Sequence, residues 1–294
     1  WKTQLFAVEG AVDGLAALFA VLVSEGDAVA YADPYYPSYH CMTLMSRAEE
    51  ILLPSLAERG FLPNLDAVPG ETWDRVKVLI LNYPNNPTGA QAPREFLERA
   101  IELAHEHRFV IVQDFAYAGL GVRNQQISIL SLPDAFDVTV EVCSLSKMYA
   151  MAGWRAGFIA GNDDIVSHVK QYHYQMGSMV TGNVQDAGTV ALQSDQECVA
   201  ELASRYALRR QIVADGLRDA GLDVFDSDGG IYAWVHAPEG LTGERFADLL
   251  LERAAVAALP GTCFGKVGVD HVRFSLLKSE DQLREAVRRI AAVL

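Results

Sequence analysis

The sequence reads SLSKMYAMAGWR from Ser144 to Arg155, directly after the apolar run VTVEVC at 138–143. The length of that run and its β-branched residues predict a buried strand. Lys147 therefore lies just beyond the end of a strand, where burial disfavours the charged form of its amine. A neutral lysine amine is the nucleophile that forms Schiff bases with carbonyl compounds.

The residues around Lys147 are of the types that bind phosphate. Ser144 and Ser146 supply short hydroxyl donors, and Arg155 supplies a planar, permanently charged guanidinium. An amine beside a phosphate-binding group predicts pyridoxal phosphate, which carries both an aldehyde and a phosphate. The alternative, on these residues alone, is a surface lysine in a serine-rich turn with an exposed arginine.

The composition is that of an acidic globular protein. Half of the 294 residues are hydrophobic, and the formal net charge of −14 argues against nucleic acid or an anionic membrane surface as a partner. Cys41, Cys143, Cys198 and Cys263 lack the spacing of a zinc site or a disulfide framework, so no metal is predicted. With no signal peptide and no apolar run of membrane-spanning length, the sequence predicts a cytoplasmic protein.

Strands alternate with helices over the first half of the chain. Apolar runs at 27–31, 76–81, 109–114, 138–143 and 157–160 are typical of strands, and helices are predicted at 8–23 and 93–107. This alternation predicts an α/β domain with a mostly parallel sheet flanked by helices. Asn86, Asp114 and Lys147 each lie at the carboxyl end of a different strand, and ligands of such sheets bind at these ends.

Two segments near the N-terminus are further candidates for this site. Ala11 and Val12 follow Gly10 at the start of a helix, where N–H groups and the helix dipole favour an anion, although an ordinary helix start explains the same residues. The run DPYYPSY at 33–39 predicts a stiff turn that presents aromatic rings. Tyr36 is the candidate to stack on a flat ligand, whereas Tyr35 and Tyr39 are predicted to cap the core.

Beyond residue 160 the pattern changes. Helices are predicted at 164–176, 185–193, 196–220, 243–253 and 280–292, and short strands at 231–236, 255–259 and 271–275. We therefore predict a large domain over residues 1–194 and a smaller α+β domain over 195–294.

Arg273 lies in the last predicted strand, on the face opposite Val272 and Phe274. An arginine on a mostly buried strand needs an anionic partner. That partner is either the carboxylate of a substrate, bound through two parallel hydrogen bonds, or an acidic side chain of the protein itself.

Four motifs, taken together and in order, resemble the class I and II aminotransferases, which are pyridoxal-phosphate enzymes of the aspartate aminotransferase fold. They are NPTG at 86–89, DFAY at 114–117, SLSK with AGWR at 144–155, and VRF around Arg273. The resemblance implies fold type I, with a large domain built on a mostly parallel sheet and a smaller α+β C-terminal domain. It also implies a homodimer with sites at the subunit boundary. The finer similarity is to bacterial alanine and LL-diaminopimelate aminotransferases.

The resemblance implies transfer of an amino group between an L-amino acid and a 2-keto acid, with Lys147, Asp114 and Tyr117 as catalytic residues. Lys147 would form the internal aldimine with pyridoxal 5′-phosphate and then shuttle the proton at Cα of the substrate. Asp114 would pair with the pyridine nitrogen, and Tyr117 and Asn86 would hydrogen-bond the 3′ oxygen of the cofactor. Tyr36 would stack on the cofactor ring.

The remaining candidates divide between the phosphate and the substrate. The backbone N–H groups of Ala11 and Val12 would bind the phosphate together with the side chains of Ser144, Ser146 and Arg155. Arg273, assisted by Asn86, would bind the α-carboxylate of the amino acid.

Two other functions stay open on the sequence. The same residues suit another outcome on the cofactor, such as elimination, cyclisation, decarboxylation or oxidation, because fold does not dictate function. A non-catalytic ligand-sensing domain on this scaffold is the other alternative, and the acidic charge and intact lysine motif argue against it. Since the chain opens at Trp1 where the family has further sequence, we expect its natural N-terminal segment to be absent.

Overall fold

The computed structural model describes residues 3–121, 126–177 and 179–294. Its strands are β1 (Leu5–Val8), β2 (Ala28–Asp33), β3 (Glu49–Pro54), β4 (Val76–Asn82), β5 (Val110–Phe115), β6 (Thr139–Ser144), β7 (Gly157–Gly161), β8 (Tyr232–His236), β9 (Leu259–Pro260) and β10 (His271–Ser275). Its α-helices are α1 (Ala11–Leu22), α2 (Pro37–Met45), α3 (Gly70–Trp73), α4 (Arg94–His107), α5 (Ala135–Val138), α6 (Leu145–Met148), α7 (Asp163–Met176), α8 (Gly182–Gln193), α9 (Glu197–Asp219), α10 (Gly243–Leu249) and α11 (Glu280–Ala291).

The larger of the two sheets in the described part of the chain has seven strands in the order β1-β7-β6-β5-β4-β2-β3. The five strands from β6 to β3 run parallel to one another. β7 pairs antiparallel with both β6 and β1. The prediction of a mostly parallel sheet is therefore confirmed.

Helices cover both faces of this sheet, and β4 shows why. Leu79 and Leu81 point to the face covered by α4, whereas Val78 and Ile80 point to the face covered by α1 and α7. A parallel strand that is buried on both faces must be apolar at successive positions. The apolar runs in the sequence therefore predicted these strands.

A second, antiparallel sheet of the order β8-β10-β9 packs against α9, α10 and α11. Val272 and Phe274 of β10 enter this core, and Arg273 points away from it, as the alternation predicted. The predicted strand at 255–259 is wrong, because a π-helix at Leu250–Ala254 ends in Ala255 with φ 51° and the chain becomes extended only at Leu259–Pro260.

The end of β2 is tied to the loop after Phe264. The Tyr35 N–H donates to the Phe264 carbonyl at 2.8 Å, and the Asp33 carboxylate accepts the N–H groups of Lys266 and Val267 at 3.0 and 3.2 Å. Burial raises the pKa of Asp33, while these two donors lower it. Gly265 has φ 120°, and a Cβ added there would collide with the Asp33 carboxylate.

No helix in the described ranges is long and apolar enough to cross a membrane.

Candidate active site

A cavity of about 310 Å³ lies where the carboxyl ends of β4, β5 and β6 face β8 and β10. Every residue that the sequence predicted for the site lines it, namely Ala11, Val12, Tyr36, Asn86, Asp114, Tyr117, Ser144, Ser146, Lys147, Arg155 and Arg273. Sequence reasoning missed Leu15, Asn82, Ala116, Ala152 and Tyr232, which also line it. A larger cavity of about 780 Å³ lies against α9 and α11 and contains none of the predicted residues.

The N-terminus of α1 forms one end of the cavity. Gly10 precedes the helix with φ 90°, and as the N-cap residue it has no side chain to cap the first N–H groups. The Arg155 guanidinium lies beside this terminus, where Nη2 donates to the Glu9 carbonyl at 3.0 Å and Nη1 donates to the Ala152 carbonyl at 3.1 Å. An uncapped helix start next to an arginine is suited to bind an anion.

Lys147 enters the cavity from the turn that follows β6. The Ser144 hydroxyl accepts the Ser146 N–H at 3.2 Å and so caps the short helix α6. The Leu145 N–H donates to the Ala156 carbonyl at 3.1 Å and closes the turn. Lys147 is half-buried there, with Ser144 and Ser146 lining the same cavity.

Asp114 is buried at the end of β5, with 4% of its surface exposed. Burial raises the pKa of its carboxyl to about 6, although hydrogen bonds from Tyr39 and Ala116 lower it. The Tyr39 hydroxyl donates to Oδ2 at 2.5 Å, and the Ala116 N–H donates to Oδ1 at 3.1 Å. A buried carboxylate of this kind is suited to pair with a protonated nitrogen.

Tyr39 is a further candidate for the site, which the sequence interpretation assigned only to the core. It is fully buried, as predicted, but its hydroxyl bonds to Asp114. The available signal was its spacing from Tyr36, because residues three apart at the start of a helix lie on the same side.

Two asparagines connect the strand ends to Arg273. Asn82 donates from Nδ2 to the Asp114 carbonyl and accepts the Asn86 N–H through Oδ1, both at 2.9 Å. Oδ1 of Asn86 in turn accepts a hydrogen bond from Arg273 Nη1 at 2.7 Å. The arginine of the small sheet is thereby joined to the polar residues of the large one.

The guanidinium of Arg273 lies close to two aromatic rings. Its guanidinium carbon is 3.8 Å from the centre of the Tyr232 ring and 4.6 Å from that of Phe264. Nε is buried and finds no hydrogen-bond partner among the described residues. Since Nη1 bonds to an amide oxygen and not to a carboxylate, the structure favours an external anion over an internal ion pair for Arg273.

Tyr117 follows β5 and is nearly buried, with 7% of its surface exposed. Burial raises the pKa of its hydroxyl well above the usual range, and a hydrogen bond with Tyr232 adds to this effect. The rings of Tyr117 and Tyr232 meet edge to face, with their centres 6.2 Å apart.

Comparisons with known proteins agree with this geometry. The family model for aminotransferase class I and II matches residues 2–290. The chain is 39% identical to the L-glutamine–4-(methylsulfanyl)-2-oxobutanoate aminotransferase of Bacillus subtilis strain 168, over 98% of this chain and 73% of that protein. It is 38% identical to the LL-diaminopimelate aminotransferase of Syntrophobacter fumaroxidans, over 98% of this chain and 74% of that protein.

Solved structures give the same result. Substrate-bound BacF from Bacillus subtilis superposes with a TM-score of 0.95 at 34% identity, covering 99% of this chain and 75% of the other.

Proposed function

The chain belongs to the class I and II aminotransferases, and we propose that it transfers the amino group between amino acids whose side chains carry no charge and the corresponding 2-keto acids. The predictions of an aminotransferase, of pyridoxal phosphate as its cofactor and of fold type I are confirmed. Because the named relatives are aminotransferases, amino-group transfer is favoured over the other outcomes and over a sensing domain. An uncharged substrate side chain is supported by the cavity lining, because the lining residues without an assigned role carry no charge.

The residues present fit pyridoxal phosphate. The uncapped start of α1 beside Arg155 suits its phosphate, the buried carboxyl of Asp114 suits its ring nitrogen, and Lys147 of the same cavity suits its aldehyde. When bound, this cofactor withdraws electrons from Cα of the amino acid and so makes the Cα proton acidic.

We assign the proton transfer to Lys147. Its amine would hold the aldehyde and, when free, would act as the general base for the proton at Cα of the amino acid. Asp114 would hold a proton at the ring nitrogen, with Tyr39 orienting its carboxylate. Tyr117 and Asn86 would bind the neighbouring ring oxygen, and Tyr36 would cover the ring.

The other predicted residues bind and orient. We assign the phosphate to the N–H groups of Ala11 and Val12 and to Ser144, Ser146 and Arg155. Arg273 would receive the α-carboxylate through Nε and Nη2, because Nη1 is already bonded to Asn86. A bidentate pair of this type fixes the orientation of the amino acid as well as binding it.

The rest of the lining favours an uncharged side chain on the substrate. Among the described residues around the cavity, the charged ones are Lys147, Arg155, Arg273 and Asp114, and each already has an assigned role. A second ammonium and carboxylate, as in diaminopimelate, would be buried without charged partners at a high cost. The name of the Bacillus subtilis relative contains two compounds with uncharged side chains, L-glutamine and 4-(methylsulfanyl)-2-oxobutanoate. We propose these two compounds as the substrates.

The substrate proposal is tested by comparing two amino donors with the same acceptor, 4-(methylsulfanyl)-2-oxobutanoate. We expect kcat/KM for L-glutamine to exceed that for LL-diaminopimelate by about tenfold or more, the scale on which unpaired polar groups discriminate. Product formation is followed by mass spectrometry. A preference for LL-diaminopimelate would contradict the substrate assignment and leave amino-group transfer intact.

We also propose a homodimer with the cavity near the shared boundary. Trp154, next to Arg155, is 50% exposed, and Tyr174 and Met176 at the end of α7 are 56% and 66% exposed. Exposed apolar side chains of this size are typical of protein interfaces. Sedimentation should therefore give the mass of two chains, and Trp154→Asp should shift it towards one chain. A fully active monomer would contradict the proposal.

Two further assignments are proposals of the same kind. The division into domains at residues 1–194 and 195–294 is supported by the apolar core of the small sheet, where Tyr117 and Leu120 are the buried members from before residue 195. Distinct hydrogen-exchange protection on the two sides of residue 194 would support it, and uniform protection would not.

A cytoplasmic location is supported by four free cysteines, and cell fractionation tests it.

A further inference from the structure

We propose that Tyr232 is a positioning residue, whose ring holds the guanidinium of Arg273 in the plane in which it receives the substrate carboxylate. The sequence interpretation singled out Arg273 but not Tyr232, and no role above includes the tyrosine. The inference rests on the proposed carboxylate-binding role of Arg273, and the experiment below separates the two.

The register of the small sheet brings the two side chains together. Arg273 pairs with Trp234, and Ser275 pairs with Tyr232. Tyr232 is therefore the diagonal neighbour of Arg273 on the same face, a position from which long and aromatic side chains reach each other. The result is the separation of 3.8 Å between the guanidinium carbon and the ring centre.

A second ring, that of Phe264, lies with its centre 4.6 Å from the guanidinium carbon and is held in place from the large sheet. The Phe264 carbonyl accepts the Tyr35 N–H at 2.8 Å, and the following loop is bonded to Asp33. One edge of the guanidinium is bonded to Asn86. Two rings and one hydrogen bond thus define its plane, and Nε remains for the ligand.

The ring of Tyr232 also stabilises the charge of the Arg273 guanidinium. A cation buried without an acidic partner is costly, and the face of an aromatic ring offsets part of this cost by attracting the charge. If the ring is replaced by an aliphatic side chain, the guanidinium loses both this attraction and the flat surface against which it packs. Carboxylate binding should then weaken by more than any step that involves only the amino group.

The test uses two ligands that divide the substrate into its parts. Butanoate has a carboxylate and no amino group, and its dissociation constant is read from the absorbance of the bound cofactor. Butan-1-amine has an amino group and no carboxylate, and its rate of reaction is read from the same absorbance. We expect Tyr232→Leu to weaken butanoate binding about tenfold, the effect of losing one desolvated cation–π contact. Its rate with butan-1-amine should equal that of Tyr232→Phe, which loses the same hydroxyl contact with Tyr117.

Two variants show whether the ring itself is responsible. Tyr232→Phe keeps the ring and loses only the hydroxyl that contacts Tyr117, so butanoate binding should be retained. Tyr206→Leu is the matched control, because it removes a ring that lies 5.6 Å from Arg209 on α9 and does not line the cavity. It should leave butanoate binding unchanged. Tyr232→Gln replaces the leucine variant if that variant fails to fold.

The outcomes separate the two claims. If Arg273→Leu binds butanoate as well as the parent, the carboxylate role of Arg273 is wrong, and the inference fails with it. If Arg273→Leu loses butanoate but Tyr232→Leu and Tyr232→Gln keep it, Arg273 stands and the role of Tyr232 is overturned. Equal losses with butanoate and butan-1-amine would also overturn it, because they would indicate general damage to the site.

Discussion

Lys147→Ala is expected to lower kcat by about 10⁴-fold or more, because a single substitution removes both the general base and the nucleophile. The variant should still bind pyridoxal phosphate non-covalently, since the residues assigned to the phosphate and the ring are untouched. The measurement is the absorbance change on mixing the loaded protein with L-glutamine. Borohydride reduction followed by peptide mapping should find the pyridoxyl group on Lys147 in the parent protein.

Lys170→Ala is the matched control for this experiment. Lys170 is an exposed lysine of α7 whose ammonium lies 5.7 Å from the ring centre of Tyr174, and it does not line the cavity. Its removal should change neither turnover nor labelling. Appreciable turnover of Lys147→Ala, or a reduced adduct on another lysine, would reject the assigned role.

Asp114→Asn is expected to lower kcat by about 10²- to 10³-fold, the scale of losing one preorganised electrostatic partner. The amide keeps the shape of the side chain but cannot hold a proton at the ring nitrogen. Above about pH 6 the buried, ionised carboxylate costs the folded apoprotein stability, so the variant should be at least as stable to unfolding as the parent. The two proteins should differ strongly in turnover. Equal turnover by the two proteins would contradict the role of Asp114.

The pH dependence of cofactor binding follows from the same carboxyl. Burial raises its pKa from an ordinary value of 3.8 to about 6. The affinity of the apoprotein for pyridoxal phosphate should therefore fall as the pH drops below about 6, since Asp114 then becomes neutral. In the folded apoprotein Asp114 binds its proton more tightly than in the unfolded chain. Its contribution to the free energy of unfolding therefore decreases as the pH rises from 3.8 to about 6.

Tyr39→Phe provides a graded comparison for Asp114→Asn. Loss of the 2.5 Å hydrogen bond removes an interaction that lowers the pKa of Asp114. The pH below which affinity is lost should therefore move upward, and kcat should fall about tenfold, in line with one hydrogen bond to a charged group. Fluorescence titration of the apoprotein measures the shift, and Asp114→Asn should show no such pH dependence.

The site was largely predictable because its central candidates lie at the carboxyl ends of neighbouring strands. Asp114 is near the end of β5, and Asn86 and Lys147 lie shortly after β4 and β6, so a parallel sheet brings the three to one edge. Tyr39 and Tyr232 were not predictable in this way. Tyr39 meets Asp114 across 75 positions, and Tyr232 reaches Arg273 through the register of a second sheet, which sequence alternation does not reveal.

The missed elements of the fold have local causes. β3 is an edge strand that begins with Glu49 and Glu50 and ends at Pro54, a composition that weakens the strand pattern. α2 begins at Pro37 inside the segment predicted as a turn, because proline at the first helical position is also a common turn residue. Ala255 in the left-handed region breaks the strand predicted at 255–259, and alanine gives no warning of that conformation.

The bond between Asp33 and the loop at Gly265 limits how this region can diverge among related proteins. While the carboxylate is present, any side chain at position 265 would occupy the same space, so glycine is the tolerated residue there. A lineage that replaces Asp33 by a smaller residue loses the acceptor of two N–H groups that fixes the loop after Phe264. Glycine should nevertheless persist at position 265, because φ 120° and the Tyr35 ring 2.9 Å from an added Cβ still disfavour a side chain there.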